Sequence, residues 1–177
     1  MSSLYQSSVP LFKMMLTNLS DILKKTEQHA KQKKIDPSVL LHGRLFPDML
    51  NLIKQVQIAC DQAKNGMGRV SGINPPKFAD KEKTFQDLYK RISNTIKYLN
   101  RIKPEDVNYE QDKVIKMSGG GKHFEFKGEQ YVITWLIPNF FFHFMTTYSI
   151  LRHNGIEIGK KDFFGMKYMQ SVIRKRA

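Results

Sequence analysis

Residues Pro138 to Gly155, PNFFFHFMTTYSILRHNG, form a nearly all-apolar segment with helical character, bearing one imidazole, His143, and an amide, Asn139, one turn earlier. Phe140, Phe141, Phe142 and Phe144 point around most of a helix circumference rather than along one stripe. A helix that is apolar all round must be covered on every side. This requirement confines the chain to folds in which the segment lies within a bundle, and it turns His143 toward protein. The apolar run from Val132 to Met145 is broken by Thr134, Pro138, Asn139 and His143. It is too short and too polar for a membrane span.

Three further segments show helical spacing. Val9, Phe12, Leu16, Leu19 and Leu23 predict a helix over Val9–Lys33, started by Ser7 or Ser8 with Pro10. A linker from Ile35 to Leu45 opens with Asp36-Pro37 and contains His42, read as a surface residue. The spacing then predicts a second helix over Pro47–Val70, with Leu50, Ile53, Val56, Cys60, Ala63, Met67 and Val70 inward, ended by Ser71-Gly72 and by Pro75-Pro76. Phe85, Leu88, Ile92, Ile96 and Leu99 predict a third helix over Asp80–Asn100. A fourth runs from Gly128 to Asn154, kinked or divided at Pro138.

Between the third and fourth helices, KVIKM and KHFEFK flank Ser118-Gly-Gly-Gly121 and predict a β-hairpin over Lys113–Lys127 with His123 exposed. The triglycine followed by Lys122 is not a phosphate loop, because the spacing and following helix are wrong. Phe163, Phe164, Tyr168, Met169 and Ile173 in the tail Gly159–Ala177 can pack on the bundle or on a second subunit. The expected fold is mainly α: one antiparallel four-helix-bundle domain over residues 1–177, with a small hairpin before the fourth helix and a packed tail.

Composition narrows the function classes. Cys60 is the only cysteine, which excludes an intramolecular disulfide and a cysteine-based zinc site. That fits a cytoplasmic protein, as does an N-terminus without secretory-signal character. The formal net charge of +13 is gathered at Lys24–Lys34, Lys81–Lys103 and Lys160–Arg176. Scattered lysine on solvated helix faces is the simpler account. A one-sided basic patch for nucleic acid is the alternative.

Helical spacing also assembles a candidate site. Asn139, His143 and Thr146 or Thr147 share one face of the fourth helix. Gln55, Gln57 and Asp61 lie within or beside the apolar stripe of the second helix. A pocket between the two would be polar at its centre, with Phe140, Phe141, Phe144 and Tyr148 at its rim. The simpler alternative is a core histidine donating to a buried glutamine or carbonyl. No nucleophile elbow is present, and Cys60 reads as a small core residue.

The segments SVPLFKMMLTNLSDIL, KIDPSVLLHGRLFPDML, QVQIACDQAK, KTFQDLYKRI and PNFFFHFMTTYSILRHNG resemble domain-of-unknown-function family 1993 along nearly the whole chain. The last of them also resembles the final bundle helix of the DinB/YfiT-like superfamily, to which that family is assigned. The resemblance implies a DinB-like bundle. In the wider superfamily, one histidine of the second helix and a His-x3-His pair of the fourth commonly bind a divalent metal. His143 falls on the second member of the pair and Asn139 on the first. Thr146 falls on a glutamine that often follows, and Gln55 or Gln57 stands in the region of the remaining histidine. One ligand of three is kept, so neither a metal nor another cofactor is expected, although thiol-dependent transferases occur in the superfamily.

The leading functional expectation is a metal-free binding or interaction protein, as a homodimer or with a small-molecule ligand, and without membrane association. A transferase or hydrolase using His143 as general base, with Gln57 and Asn139 orienting substrate, is the enzymatic alternative. A nucleic-acid-binding module using the basic surface is the other.

Overall fold

Helix α1 spans Val9–Lys33, where the apolar spacing places it, and buries Val9, Phe12, Leu16, Leu19 and Leu23. The structure is a computed structural model and describes residues 3–108, 112–119 and 121–165. Pro10 sits in the first turn of α1, where its missing N–H costs no helical hydrogen bond. Lys34 ends the helix in the left-handed region at φ 55°, and Lys31 and Lys33 favour the negative end of the helix dipole.

The linker holds a short helix, α2 (Pro37–Leu41), capped by Asp36, whose carboxylate accepts from the Ser38 N–H. The next long helix, α3, is Leu52–Ser71 and does not begin at Pro47. Asn51 stops it from extending backward, because its side chain accepts from the Lys54 N–H as an N-cap. Leu50, placed inward by the periodicity, therefore lies before the helix and is 44% exposed. The rest of that stripe, from Ile53 to Val70, is buried. Helix α4 is Phe85–Leu99 rather than starting at Asp80, because Thr84 and Asp87 form a capping box at its true beginning. A short α5 (Pro104–Asn108) follows, and Asn108 accepts from the Tyr5 N–H.

The hairpin pairs β1 (Val114–Gly119) with β2 (Lys122–Lys127) antiparallel, matching Val114 with Lys127 and Gly119 with Lys122. Phe124 and Phe126 lie 5.4 and 5.7 Å from the Trp135 ring, so the hairpin packs on the start of the fourth helical run. That run consists of α6 (Gly128–Gln130), a π-helical segment (Tyr131–Leu136) and α7 (Ile137–His153). Pro138 does not interrupt the run, whose backbone stays helical throughout: the wider π turns fall just before the proline, where an ordinary α-turn would clash with the ring and lose a hydrogen bond. Finally, α8 (Lys160–Phe164) carries Phe163 against Phe141, Phe144 and Tyr148. Tyr168, Met169 and Ile173 lie outside the described residues.

Pair contacts fix the helix directions. Gln55 meets His143 and Gly66 meets Leu136, so α3 and α7 are antiparallel. Glu27 meets Gln86 and Tyr89 while Tyr5 meets Asn108, so α1 opposes α4. Asp61 meets Arg91 and Gly68 meets Tyr98, so α3 and α4 run the same way within the bundle. The connection 72–84 allows this. Extended chain advances about 3.3 Å per residue against about 1.5 Å in a helix, so a shorter segment can return along the length of α3. The helices stand in the order α1, α4, α3, α7, and the Phe12 and Phe140 rings, 5.0 Å apart, close the circuit. Among the described residues the structure is mainly helical, at 64%. Among the described residues, no helix is long and apolar enough to cross a membrane.

Candidate functional site

His143 faces α3, placed there by the antiparallel contact of α7. Its Nδ1 lies 2.7 Å from Oε1 of Gln55. The Gln55 amide nitrogen donates to the Leu50 carbonyl over 3.1 Å, which fixes Oε1 as the acceptor. Nδ1 is therefore the protonated nitrogen of a neutral ring, and Nε2 keeps its lone pair. The ring is partly buried, and burial pushes its pKa below the usual histidine value. Phe142 stands edge-on to the imidazole at 5.2 Å and is 58% exposed, beside Met145 one turn further on. The site is thus a neutral imidazole within an apolar, partly open helix face.

The other residues assigned to one pocket go to different places. The Asn139 amide donates to the Trp135 carbonyl. Thr146 and Thr147 donate to the carbonyls of Phe142 and His143, four residues back on the same helix. The Tyr148 hydroxyl donates to the Ile158 carbonyl. Of the set, Gln55 and His143 come together. Gln57 and Asp61 belong to a second cluster on the other side of α3.

That second cluster is centred on Arg91 of α4, which the sequence reading missed. Its side chain is 1% exposed and reaches Asp61 at 2.7 Å, Asp80 at 2.6 Å and Glu82 at 2.9 Å. Gln57 donates to the other oxygen of Glu82, and Lys64 adds a 3.1 Å pair to Asp61. The Phe78 ring lies 4.8 Å from the Arg91 guanidinium and 4.8 Å from the Lys64 ammonium. The one available signal was a cation bordering the apolar stripe, next to Ile92 and shortly after the acidic pair Asp80 and Glu82. Beneath the cluster Cys60 is fully buried, and burial pushes its thiol pKa up to about 12.

The family model described as Domain of unknown function (DUF1993) matches residues 4–164. The chain belongs to the DUF1993 family. It is also similar to the crystal structure of a DinB family member protein from Shewanella denitrificans, at 41% identity and a TM-score of 0.84. That match covers 98% of this chain and 95% of the other. No curated protein matches the chain.

In this DUF1993 chain the donor set does not fit the three-histidine metal site of the wider superfamily. His143, with Nδ1 on Gln55, keeps Nε2 and so offers one imidazole ligand of the three, while Asn139 stands where the second imidazole would be and offers only an amide oxygen. Gln55 bonds His143 and Leu50 through its two ends, and Gln57 turns its NH2 to Glu82, its buried Oε1 having no hydrogen-bond partner among the described residues. Among the described residues, no group of three His, Cys, Asp or Glu side chains could hold a metal ion. Asparagine and glutamine are weak partners for zinc or nickel beside imidazole. His42, hydrogen-bonded to the Ser38 carbonyl, and His123, bonded to Ser118, are both exposed and take part in neither cluster.

Proposed function

We propose that this DUF1993 protein is a metal-free interaction module that docks a second copy of itself through the open face of α7. The observation that carries the reading is Phe142. It projects into solvent from a helix whose neighbouring phenylalanines, Phe140 and Phe144, are fully buried. Met145 continues the face toward a mostly apolar hollow of about 310 Å³ lined by Tyr148, Phe163, Phe164 and Lys160, which suits an apolar side chain from a partner. Two-fold self-association is the commonest way to cover such a face, and exposed apolar area of this kind marks interaction surfaces. His143 lies within the face as a neutral hydrogen-bond acceptor. Light scattering at micromolar concentration tests the reading. Twice the 20.6 kDa chain mass is expected for the wild type, and Phe142→Asp should reduce it to the single-chain mass. A wild-type protein that stays at 20.6 kDa contradicts it.

The enzymatic alternative, with His143 as general base, draws support from Nε2, which has no hydrogen-bond partner among the described residues. It draws none from Gln57, which lies on the other side of α3 and donates to Glu82, or from Asn139, which donates to the Trp135 carbonyl of its own helix. A small-molecule ligand, if one binds, would find its best apolar surface in the Phe163–Phe164 hollow rather than between α3 and α7.

A further inference from the structure

The return connection 72–84 and helix α4 enclose a furrow that neither reading above uses. Two hollows of about 280 and 350 Å³ share Phe78 and Asn94 in their linings. Lys77, Lys81 and Lys90 border the first, and Lys97 and Arg101 border the second. On α4 and its exit, Lys90, Lys97 and Arg101 are spaced by seven and four residues, so they project to one side. At about 1.5 Å per residue they stand about 10 and 6 Å apart along the axis. All five cations are exposed, and among the described residues none lies within 4 Å of a carboxylate, although Lys90 stands near enough to Asp87 to favour its charged form.

The carboxylates in the furrow are engaged. Asp80 and Glu82 hold Arg91, and Asp87 accepts from the Lys83 and Thr84 N–H groups of the capping box. Six cations in the two linings, Arg91 included, against these three carboxylates leave a net charge of +3. The furrow is also fixed in shape. The Tyr98 hydroxyl donates to the Ile73 carbonyl at 2.6 Å, and Gly68 has no side chain to keep Pro75 and Tyr98 away. Arg91 clamps the far end. A connection this long without secondary structure of its own is uncommon in a compact domain unless it has a function.

We infer that this furrow binds single-stranded nucleic acid, with phosphates along the five cations and a base against Phe78 and the Asn94 amide. A charged groove that tracks a backbone beside an aromatic platform is the physical requirement for such binding. A duplex is read by elements that protrude into its grooves, whereas this site is recessed. An anionic membrane would need large apolar side chains among the cations, and the exposed ones, such as Phe46, Ile133, Phe142 and Met145, line neither hollow. An acidic peptide would use the charge but not the ring.

Fluorescence anisotropy with the full chain tests the inference, using oligothymidine and oligouridine of about 12 nucleotides, a duplex of equal length and polyglutamate. Single strands should bind more tightly than the duplex or polyglutamate. The logarithm of the affinity should fall with log salt at a slope of about −3 between about 50 and 200 mM, as for four or five phosphates. Reversal of Lys90, Lys97 and Arg101 to Glu should weaken binding at least about tenfold more than reversal of Lys31, Lys33 and Lys34 on α1, which changes net charge equally. If a triple variant loses its helical spectrum, the milder pair Lys97→Gln and Arg101→Gln decides, with a reduced salt slope expected. The inference fails if no single strand binds at about 100 µM in low salt, the weak end of non-specific affinity. It also fails if duplex or polyglutamate binds as tightly, or if reversals on the two helices weaken binding alike.

Discussion

Nδ1 of His143 donates to Oε1 of Gln55 over 2.7 Å and ties α7 to α3. The second half of the Gln55 amide reaches the Leu50 carbonyl, so one glutamine joins two helices and the segment that leads into α3. Replacing His143 by alanine strands a buried carbonyl oxygen, since Gln55 is 2% exposed. A loss of about 1–3 kcal/mol is expected, the usual cost of an unsatisfied buried partner. Urea unfolding measures it, and a double-mutant cycle with Gln55→Leu should show that the two losses are not additive. An unchanged unfolding midpoint would place the ring in solvent.

The same contact sets a pH dependence. Burial lowers the folded-state pKa of His143 below 6.5. The unfolded chain therefore binds a proton more readily than the folded one. The neutral ring's contribution is fully present above pH 6.5 and declines as pH falls through that value toward the folded pKa. His143→Gln should flatten the unfolding midpoint over this window. A wild-type midpoint that rises on acidification there would contradict the assignment.

Arg91→Met should cost more than the loss of any surface ion pair. It leaves Asp61, Asp80 and Glu82 without their shared cation, and removing one partner of a buried ionic cluster typically costs about 3–5 kcal/mol. The low end is expected, because Asp80 is 45% exposed and can rehydrate. Calorimetry of the variant decides, and a melting temperature unchanged from wild type would show the cluster to be unimportant.

Cys60 should be inert to thiol reagents in the native protein. It is fully buried, and its thiolate is disfavoured by burial far beyond neutral pH. Labelling should proceed only at the rate of unfolding and accelerate in denaturant. Stoichiometric labelling within the mixing time of the folded protein would mean that the Arg91 side of α3 opens readily.

Gly66→Ala should destabilise the protein despite alanine's better helix propensity. A methyl group at this position would overlap the Leu136 side chain at the end of the π segment. Overpacking of this kind costs about 1–3 kcal/mol, against the roughly 1 kcal/mol that alanine gains over glycine in a helix. A more stable variant would show that α3 and α7 separate without cost.

Apolar spacing and turn residues made much of the fold legible in the sequence. The five-residue stripe of α1 and the glycine-turn hairpin follow from period and stereochemistry, whereas Pro138 changes the turns before it to π-helix without breaking the run. The direction of α4 relative to α3 does not, because a stripe says which face is buried and not which way the helix runs. The start of α3 was hidden for a similar reason. Leu50 keeps the helical spacing, but the Asn51 cap overrides it. In the site, a spacing of four residues puts Gln57 beside Asp61 on α3. It could not show that Arg91, from another helix, would hold Asp61, or that the Gln57 side chain would turn to Glu82 beside it rather than to His143. Thr146 and Thr147 shared a face with His143 in sequence, yet their hydroxyls return to carbonyls of their own helix.

The most direct test of the proposed α7 interface is hydroxyl-radical footprinting of Phe142 and Met145 at high and at low protein concentration. Both side chains are open in the single chain, at 58% and 41% exposure. The account predicts that both are protected at the concentration where the mass is doubled and are oxidised on dilution, while exposed Phe46 serves as the reference. Oxidation of Phe142 and Met145 to the same extent at both concentrations, relative to Phe46, would contradict it.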